Sequence, residues 1–533
     1  MQRKYIMLLL LIFTLLFGLS GCGAKEQGGV TLWVLTEKSA SDGMNLQASI
    51  IAQRMEEKYD DLTIQLDTLP TDERSREVLL KQLRTQIMTG KGPDVFLLPV
   101  SDCLTMDYVS DRAASRSVTQ IPIEPLFWDV TQIMRDGLFA DLQAYYMNDA
   151  ALEKEALKTE VMDAGVLDGK RYVLPLRFDI PVILTTPEDN TRTGLSSESV
   201  VGTATLVKNA LSREDAQMLT GLRLPDDLSL LPRHFDYKAG QTLLTAGQIA
   251  EYLRVYQAWK SINAKSTQAL LDVWDKKHVT AIMSDKLYAF SEEEARRLFP
   301  FDYHVENFND IGWYICLDDM NWHTVGLPLF TSRLSDTLET LPVAKHAGFD
   351  VDMYPFRATD GSVVASVTYF GAVGCGCENP ALAYEFLREF LTEEFQWDFY
   401  RPRGNKNKSG FQKEIDPQVP GQVEDSWPVR TAGSVPYLWD TLRYQNTNAS
   451  SSFRPASAQI SREIHNIVLN DADLPALNWP IDEVRFPVFL KEEESIEHAL
   501  SLLNEEDGTP TDADIDALAE QVYQNLRYHL AEG

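Results

Sequence analysis

The residues that could do chemistry in this chain are plentiful but scattered. Among 533 residues there are 79 Asp and Glu, 49 Lys and Arg and eight His. The histidines, at 234, 278, 304, 323, 346, 465, 498 and 529, form no HExxH pair that could hold zinc. No G-x-S-x-G turn presents a serine nucleophile. Gly90-Lys91 lacks the glycine spacing of a phosphate-cradling loop. Cysteines stand at 22, 103, 316, 375 and 377. With Cys22 set aside, the other four allow three pairings, and sequence does not choose among them. Cys375 and Cys377 are two apart. On a strand they share a face, a bridge between them is strained, and no nearby His completes a metal set. The pair is expected as small buried residues. Two carboxylates across a cleft would suit glycoside hydrolysis, but with 79 acids such a pair can always be found. No (β/α)₈ repeat supports that alternative.

Composition sets the class. The chain is 44% hydrophobic, 10% aromatic and 24% charged, ordinary values for a globular protein of two or three domains. A net charge of −30 excludes nucleic acid as a general partner, since phosphate binding needs a basic face. The basic stretch Arg401, Arg403, Lys406, Lys408 and Lys413 is rich in Asn, Gly and Ser and reads as a solvated loop.

The N-terminus sets the compartment. Arg3 and Lys4 precede an uncharged run from Tyr5 to Phe17, then Gly18, the layout of a secretory signal peptide rather than a membrane span. Leu19-Ser20-Gly21-Cys22 resembles the bacterial lipobox, which implies that Cys22 is lipidated and begins the mature chain. Residues 23–29 form a short tether. Losing residues 1–21 removes two positive charges and no acids, leaving −32. The expected body is soluble, exported and held at the outer face of the cell membrane by its lipid alone.

Elements positioned by periodicity follow. Val30–Leu35 is a β-branched and aromatic run, a strand in which Trp33 is expected in the core. Met44, Ala48, Ile51 and Met55 fall on one helical face. Leu62, Ile64 and Leu66 alternate as a strand. Leu79, Leu80, Leu83 and Ile87 mark a second helix, with Gly90 placed to end it. Val95–Leu98 is a strand buried on both faces. The order β-α-β-α-β implies a parallel sheet, with ligands beyond its carboxyl ends. That singles out the loops Thr36–Ser41 and Pro99–Asp102.

Several segments carry a family resemblance. The βαβα unit ending in Gly90-Lys-Gly-Pro-Asp94-Val-Phe96 resembles the start of an extracellular solute-binding protein of the sugar-binding type (family 1), which serves ABC importers. Further matches come in order: Gly137-Leu-Phe-Ala-Asp141-Leu142, Asp168-Gly-Lys-Arg-Tyr172-Val-Leu-Pro175, Val279-Thr-Ala-Ile-Met283-Ser284, and Asn379-Pro380-Ala-Leu-Ala383-Tyr-Glu-Phe386-Leu387. Residues 489–503 resemble the family's closing helix. In the fourth match Asn379 is placed to N-cap and Pro380 to open a helix, with Ala383, Phe386, Leu387, Phe390 and Leu391 as its apolar stripe.

The resemblance implies an α/β, two-lobed binding-protein fold of type II, each lobe a mainly parallel sheet flanked by helices. Residues 1–21 are the signal peptide and 22–29 the lipidated cysteine and tether. Lobe 1 takes 30–143 plus about 365–400, and lobe 2 takes 144–364 plus about 401–533. Excess length is expected in 187–247, 302–347 and after Tyr400. The implied function is capture of a small solute, a carbohydrate or oligosaccharide, and delivery to ABC permease subunits, by a monomer with no enzyme activity, no metal and no cofactor. A sensor lipoprotein signalling to a membrane kinase is the other alternative. Rings would stack on sugar faces while charged and amide groups bind hydroxyls. Position in the family pattern selects Thr36, Glu37, Asp102, Phe178, Asp179, Tyr288, Tyr369 and Phe370 as ligand-binding. Asp94 is expected to order a strand end.

Overall fold

The computed structural model describes residues 29–37, 43–100, 105–109, 118–185, 235–236, 239–258, 330–333, 352–355, 357–358, 360–396, 427–430, 437–438, 468–469, 479–488 and 510–532. Outside them lie Cys22, Asp102, Cys103, Tyr288 and Cys316, the segment 279–284, the basic stretch 401–413 and the segment 489–503.

The described residues from Val30 to Pro99 fold as their periodicity requires. Strand β1 (Val30–Glu37), helix α1 (Gly43–Lys58), β2 (Leu62–Leu69), α2 (Glu73–Met88) and β3 (Val95–Pro99) alternate. β1 pairs in parallel with β2 on one side and β3 on the other. Met44, Ala48, Ile51 and Met55 of α1 pack with Leu32, Val34, Ile64 and Val95 on one face of the sheet. Leu80, Leu83 and Ile87 of α2 pack with Leu35, Phe96 and Leu98 on the other. Each such side chain contributes about 1.5–3 kcal/mol when fully buried. Asp72 caps α2 by accepting from the Ser75 N–H at 2.9 Å. Gly90, at φ +66°, ends it: the Gly90 and Lys91 N–H groups donate to Ile87 and Gln86, the Schellman pattern that glycine permits. Trp33 is only half-buried. Its indole N–H donates to Asp67 at 2.8 Å, and that polar tip keeps the ring at the sheet margin.

The chain then turns through the hairpin 166–171, whose Asp168-Gly169 corner has φ +50° and +77°, the left-handed pair that a tight two-residue hairpin needs. It enters β4 (Val173–Asp179), buried along its whole length. One residue later β5 (Pro181–Thr185) begins a second sheet, between β6 (Phe330–Arg333) and β7 (Asp352–Pro355), both antiparallel to it. The chain returns as β8 (Val364–Val373), which inserts between β3 and β4, antiparallel to both. Helix α3 (Pro380–Glu389) follows. Its stripe Ala383, Phe386, Leu387, Phe390 and Leu391 is buried as expected. Asn379 occupies the N-cap position but makes no side-chain cap bond; Pro380 alone gives the helix its start. Two short strands complete the first sheet: β9 (Trp427–Pro428) beside β4 and β10 (Glu483–Arg485) beside β8. Helix α4 (Asp512–Glu532) closes the chain, with Arg254 bridging to its Asp512 and Asp516.

The architecture is α/β, with helices on both faces of the first sheet. Its strand order is β9-β4-β8-β3-β1-β2. The lobe division expected from the sequence assigned β4, β9 and β10 to the second lobe. They hydrogen-bond into the first sheet instead, because the returning strand β8 presents a free side to β4 and a free end to β10. No helix among the described residues is long and apolar enough to cross a membrane.

Candidate functional site

The carboxyl ends of β1, β3 and β4 and the start of β8 form one edge of the first sheet. Register shows how closely the sequence-selected residues gather there. Thr36 lies beside Thr68 and Leu97. Pro99 lies beside Tyr369, which lies beside Arg177. Leu98 lies beside Phe370, and Asp179 beside Ser366. Thus six of the eight candidates, Thr36, Glu37, Phe178, Asp179, Tyr369 and Phe370, share this edge; Asp102 and Tyr288 lie outside the described residues.

All six are buried, and their surroundings differ. The Thr36 hydroxyl bonds to the Thr68 hydroxyl at 2.9 Å and donates to the Asp67 carbonyl at 3.2 Å. Glu37 is locked by charge: Arg76 donates to both of its carboxylate oxygens, at 2.7 and 2.8 Å. The same guanidinium donates to the Pro70 and Glu124 carbonyls. A buried pair in which all three guanidinium nitrogens donate is the arrangement that offsets desolvation of two charges. Asp179 accepts from the Ile180 N–H at 2.8 Å, which fixes the step from β4 to β5. Phe178 and Tyr369 belong to the core under α1 and α3. Phe370 belongs to the core under α2, in ring contact with Phe139 and Phe486.

Glu37 and Phe370 meet at a cavity lined also by Leu98, Val100, Leu126 and Phe127. Its free volume of about 10 Å³ holds one water at most. It is a packing gap behind the edge, too small for a sugar.

Three features of this edge escape sequence reasoning. Arg76 is the partner of Glu37, 39 residues away. Its signal was its place on the apolar stripe 76, 80, 83, 87, where a charge must find a partner. Thr368 is the extra residue of a bulge in β8; its hydroxyl is buried and makes no hydrogen bond. Bulges re-aim side chains next to functional sites. Gln47, on the buried face of α1, has neither amide atom paired.

At the opposite edge Asp94 does what was expected of it. Its carboxylate accepts from the Trp33 N–H at 2.8 Å, while its backbone bonds to Trp33 and Gly374. Cys375 and Cys377 are both free. Cys375 is exposed rather than core, because the pair sits in a surface turn and not on a strand. Among the described residues, no three His, Cys, Asp or Glu side chains gather as metal ligands.

No family model and no curated protein matches the chain. Solved structures match it along nearly its whole length at low identity. The sugar-binding protein MalE from Xanthomonas citri is 12% identical, covering 94% of this chain and 98% of that one, with a TM-score of 0.48. An extracellular solute-binding protein of family 1 from Alicyclobacillus acidocaldarius is 12% identical, covering 94% and 98%, with a TM-score of 0.44. A de novo designed cysteine esterase is 11% identical, covering 95% and 98%, with a TM-score of 0.48. Proteins of such different chemistry at equal scores leave the functional argument to this chain's own residues.

Proposed function

We propose that the chain is an exported binding protein, anchored through a lipid on Cys22, which closes two lobes over a small solute and presents it to the permease subunits of an ABC importer. The solute class is a carbohydrate or oligosaccharide.

One observation carries this reading: the paired crossings between the two sheets. β4 and β8 are neighbours in the first sheet, and β5 and β7 both pair within the second. β4 passes into β5 through Ile180 alone, and β7 leads back into β8. Side-by-side crossings make a hinge, in which a few terminal residues absorb the bend while each sheet stays rigid. A solute touching both lobes then favours the closed form by its differential affinity, and by no more than that. No step in this cycle breaks a covalent bond.

The proposed contacts are the eight candidates selected from the sequence, in two roles. Thr36, Asp102, Asp179, Tyr288 and Tyr369 supply polar groups and rings to the solute. Glu37, Phe178 and Phe370 shape the edge from behind. Asp179 matters most, since it lies at the crossing itself.

The test is a melting panel of oligosaccharides on the purified chain, with products analysed after incubation. One sugar at a hundredfold excess over its Kd is expected to add about 2.7 kcal/mol of stability and to be recovered intact. Asp179→Asn is expected to weaken that sugar at least about tenfold, the loss of one charge-assisted hydrogen bond. Cleavage of the sugar would overturn the reading in favour of a hydrolase.

A further inference from the structure

The edge opposite the proposed solute site carries a separate constellation. β8 ends at Val373, which lies beside Val95, the first residue of β3. The chain then runs Gly374-Cys375-Gly376-Cys377 before α3. The Cys377 N–H donates to the Gly374 carbonyl at 3.0 Å, closing a four-residue turn. Neither central residue has a positive φ, which excludes the glycine-dependent turn types and leaves type I geometry. The turn folds the chain back between Cys375 and Cys377, which draws their two Cα atoms closer than in an extended strand and toward the Cα span that a disulfide needs.

Neighbours hold this turn rigid. The Gly374 N–H donates to Asp94 at 2.9 Å and the Cys375 N–H to Leu138 at 3.0 Å. Gly376 sits so close to the end of α2 that a Cβ there would lie 2.0 Å from the Gly90 carbonyl. Within it, Cys375 is exposed and Cys377 half-buried. The Cys377 sulfur accepts from the Asn379 N–H and lies against the Asp94 carboxylate, with Glu378 as the other facing charge.

We propose that Cys375-Gly376-Cys377 is a thiol–disulfide exchange site that takes small-molecule disulfides from the surrounding medium. The Cys375 thiolate attacks one sulfur of the incoming disulfide. A mixed disulfide forms at Cys375, and the first thiol leaves with a proton. Cys377 then attacks the Cys375 sulfur, forms the Cys375–Cys377 bond and expels the second thiol with the other proton. Two electrons pass from the cysteine pair to the incoming disulfide. Bridging residues two apart closes a small strained ring, so the oxidised turn is readily reduced again. Burial pushes the Cys377 thiol up to about 12, so the resolving step quickens as pH rises toward that value.

The test incubates the reduced full chain with oxidised glutathione, quenches with acid and maps the cysteines by mass. The expected product is a Cys375–Cys377 bridge with two glutathione thiols released per chain. Cys377→Ser is expected to stop at glutathione on Cys375, and Cys375→Ser to react at least about tenfold more slowly. In the unsubstituted chain the mixed disulfide is expected to shorten its lifetime as pH rises from about 7 to about 9. A mixed disulfide as long-lived in the unsubstituted chain as in Cys377→Ser overturns the proposal. So does a bridge from either cysteine to Cys103 or Cys316, or an unreactive Cys375. None of these outcomes depends on solute binding at the far edge.

Discussion

At the carboxyl edge of the first sheet, Glu37 and Arg76 face each other with side chains 1% and 3% exposed, and Arg76 reaches two further carbonyls. At the amino edge of the same sheet no such charge pair does the holding among the described residues. There glycines let two turns touch backbone to backbone, Gly374 against Pro93 and Gly376 against Gly90, and Asp94 stitches the strand ends through N–H groups. The first closure is long-ranged and electrostatic, and it tolerates a change of shape better than a change of charge. The second is steric, and it tolerates neither a methyl group nor a shift of the turn.

The largest expected effect tests the charged closure. Arg76→Met strands the Glu37 carboxylate in a buried site and is expected to cost about 3–5 kcal/mol in urea melts. The double variant Arg76→Met with Glu37→Leu removes both charges and is expected to recover most of that loss. A single variant within about 1 kcal/mol of the parent would mean that water already reaches Glu37, and the contrast between the edges would fall.

The steric closure comes next. Gly376→Ala places a methyl group on the Gly90 carbonyl and is expected to cost about 2–3 kcal/mol. Gly90→Ala meets nothing within 4 Å but keeps φ at +66°, so only the left-handed backbone is charged against it, about 1–2 kcal/mol. If Gly90→Ala proved the costlier of the two, backbone conformation rather than close approach would be what closes the amino edge.

The two edges were not equally legible. The βαβαβ unit, the Gly90 stop and the α3 stripe could all be read from residues close in sequence, because apolar periodicity and turn chemistry are local; the role of Asp94 came only from the family resemblance, since its partners Trp33 and Gly374 are far away in sequence. The carboxyl edge could be located, since ligands gather where parallel strands end, but the partners that hold its residues could not be read. Arg76 lies 39 residues from Glu37, and only the placement of β8 between β3 and β4 sets Tyr369 beside Pro99 and Arg177. The bulge at Thr368 shifts the pairing of β8 against β4 by one residue, a second irregularity at Leu176 shifts it back, and no alternation pattern announces either. Cys375 and Cys377 were misjudged for a similar reason: the strand pattern of β8 runs up to them, and the hydrogen bond that ends it belongs to the turn.

The smallest effect separates buried charge from exposed charge. Along the seam of α1 and α3, Lys58 bridges to Glu385 at 2.6 Å with its own side chain 57% exposed, and Tyr59 donates to the same carboxylate. Burial pushes the Glu385 carboxyl up, but the Lys58 and Tyr59 hydrogen bonds outweigh it and hold the group below its ordinary value. A carboxyl lowered on folding adds stability above its unfolded value, near pH 4.3, and loses it as pH falls through the folded value. Lys58→Met is therefore expected to cost only about 0.5 kcal/mol at neutral pH, and less in about 1 M salt or once the pH has fallen through the folded value of Glu385, where screening or protonation removes the pair. Arg76→Met should keep its full cost in the same salt, because no counter-ion reaches a pair this deeply enclosed. Equal salt sensitivity of the two variants would show that the Glu37 site is wet, and would move the charged closure from the core of the edge to its surface.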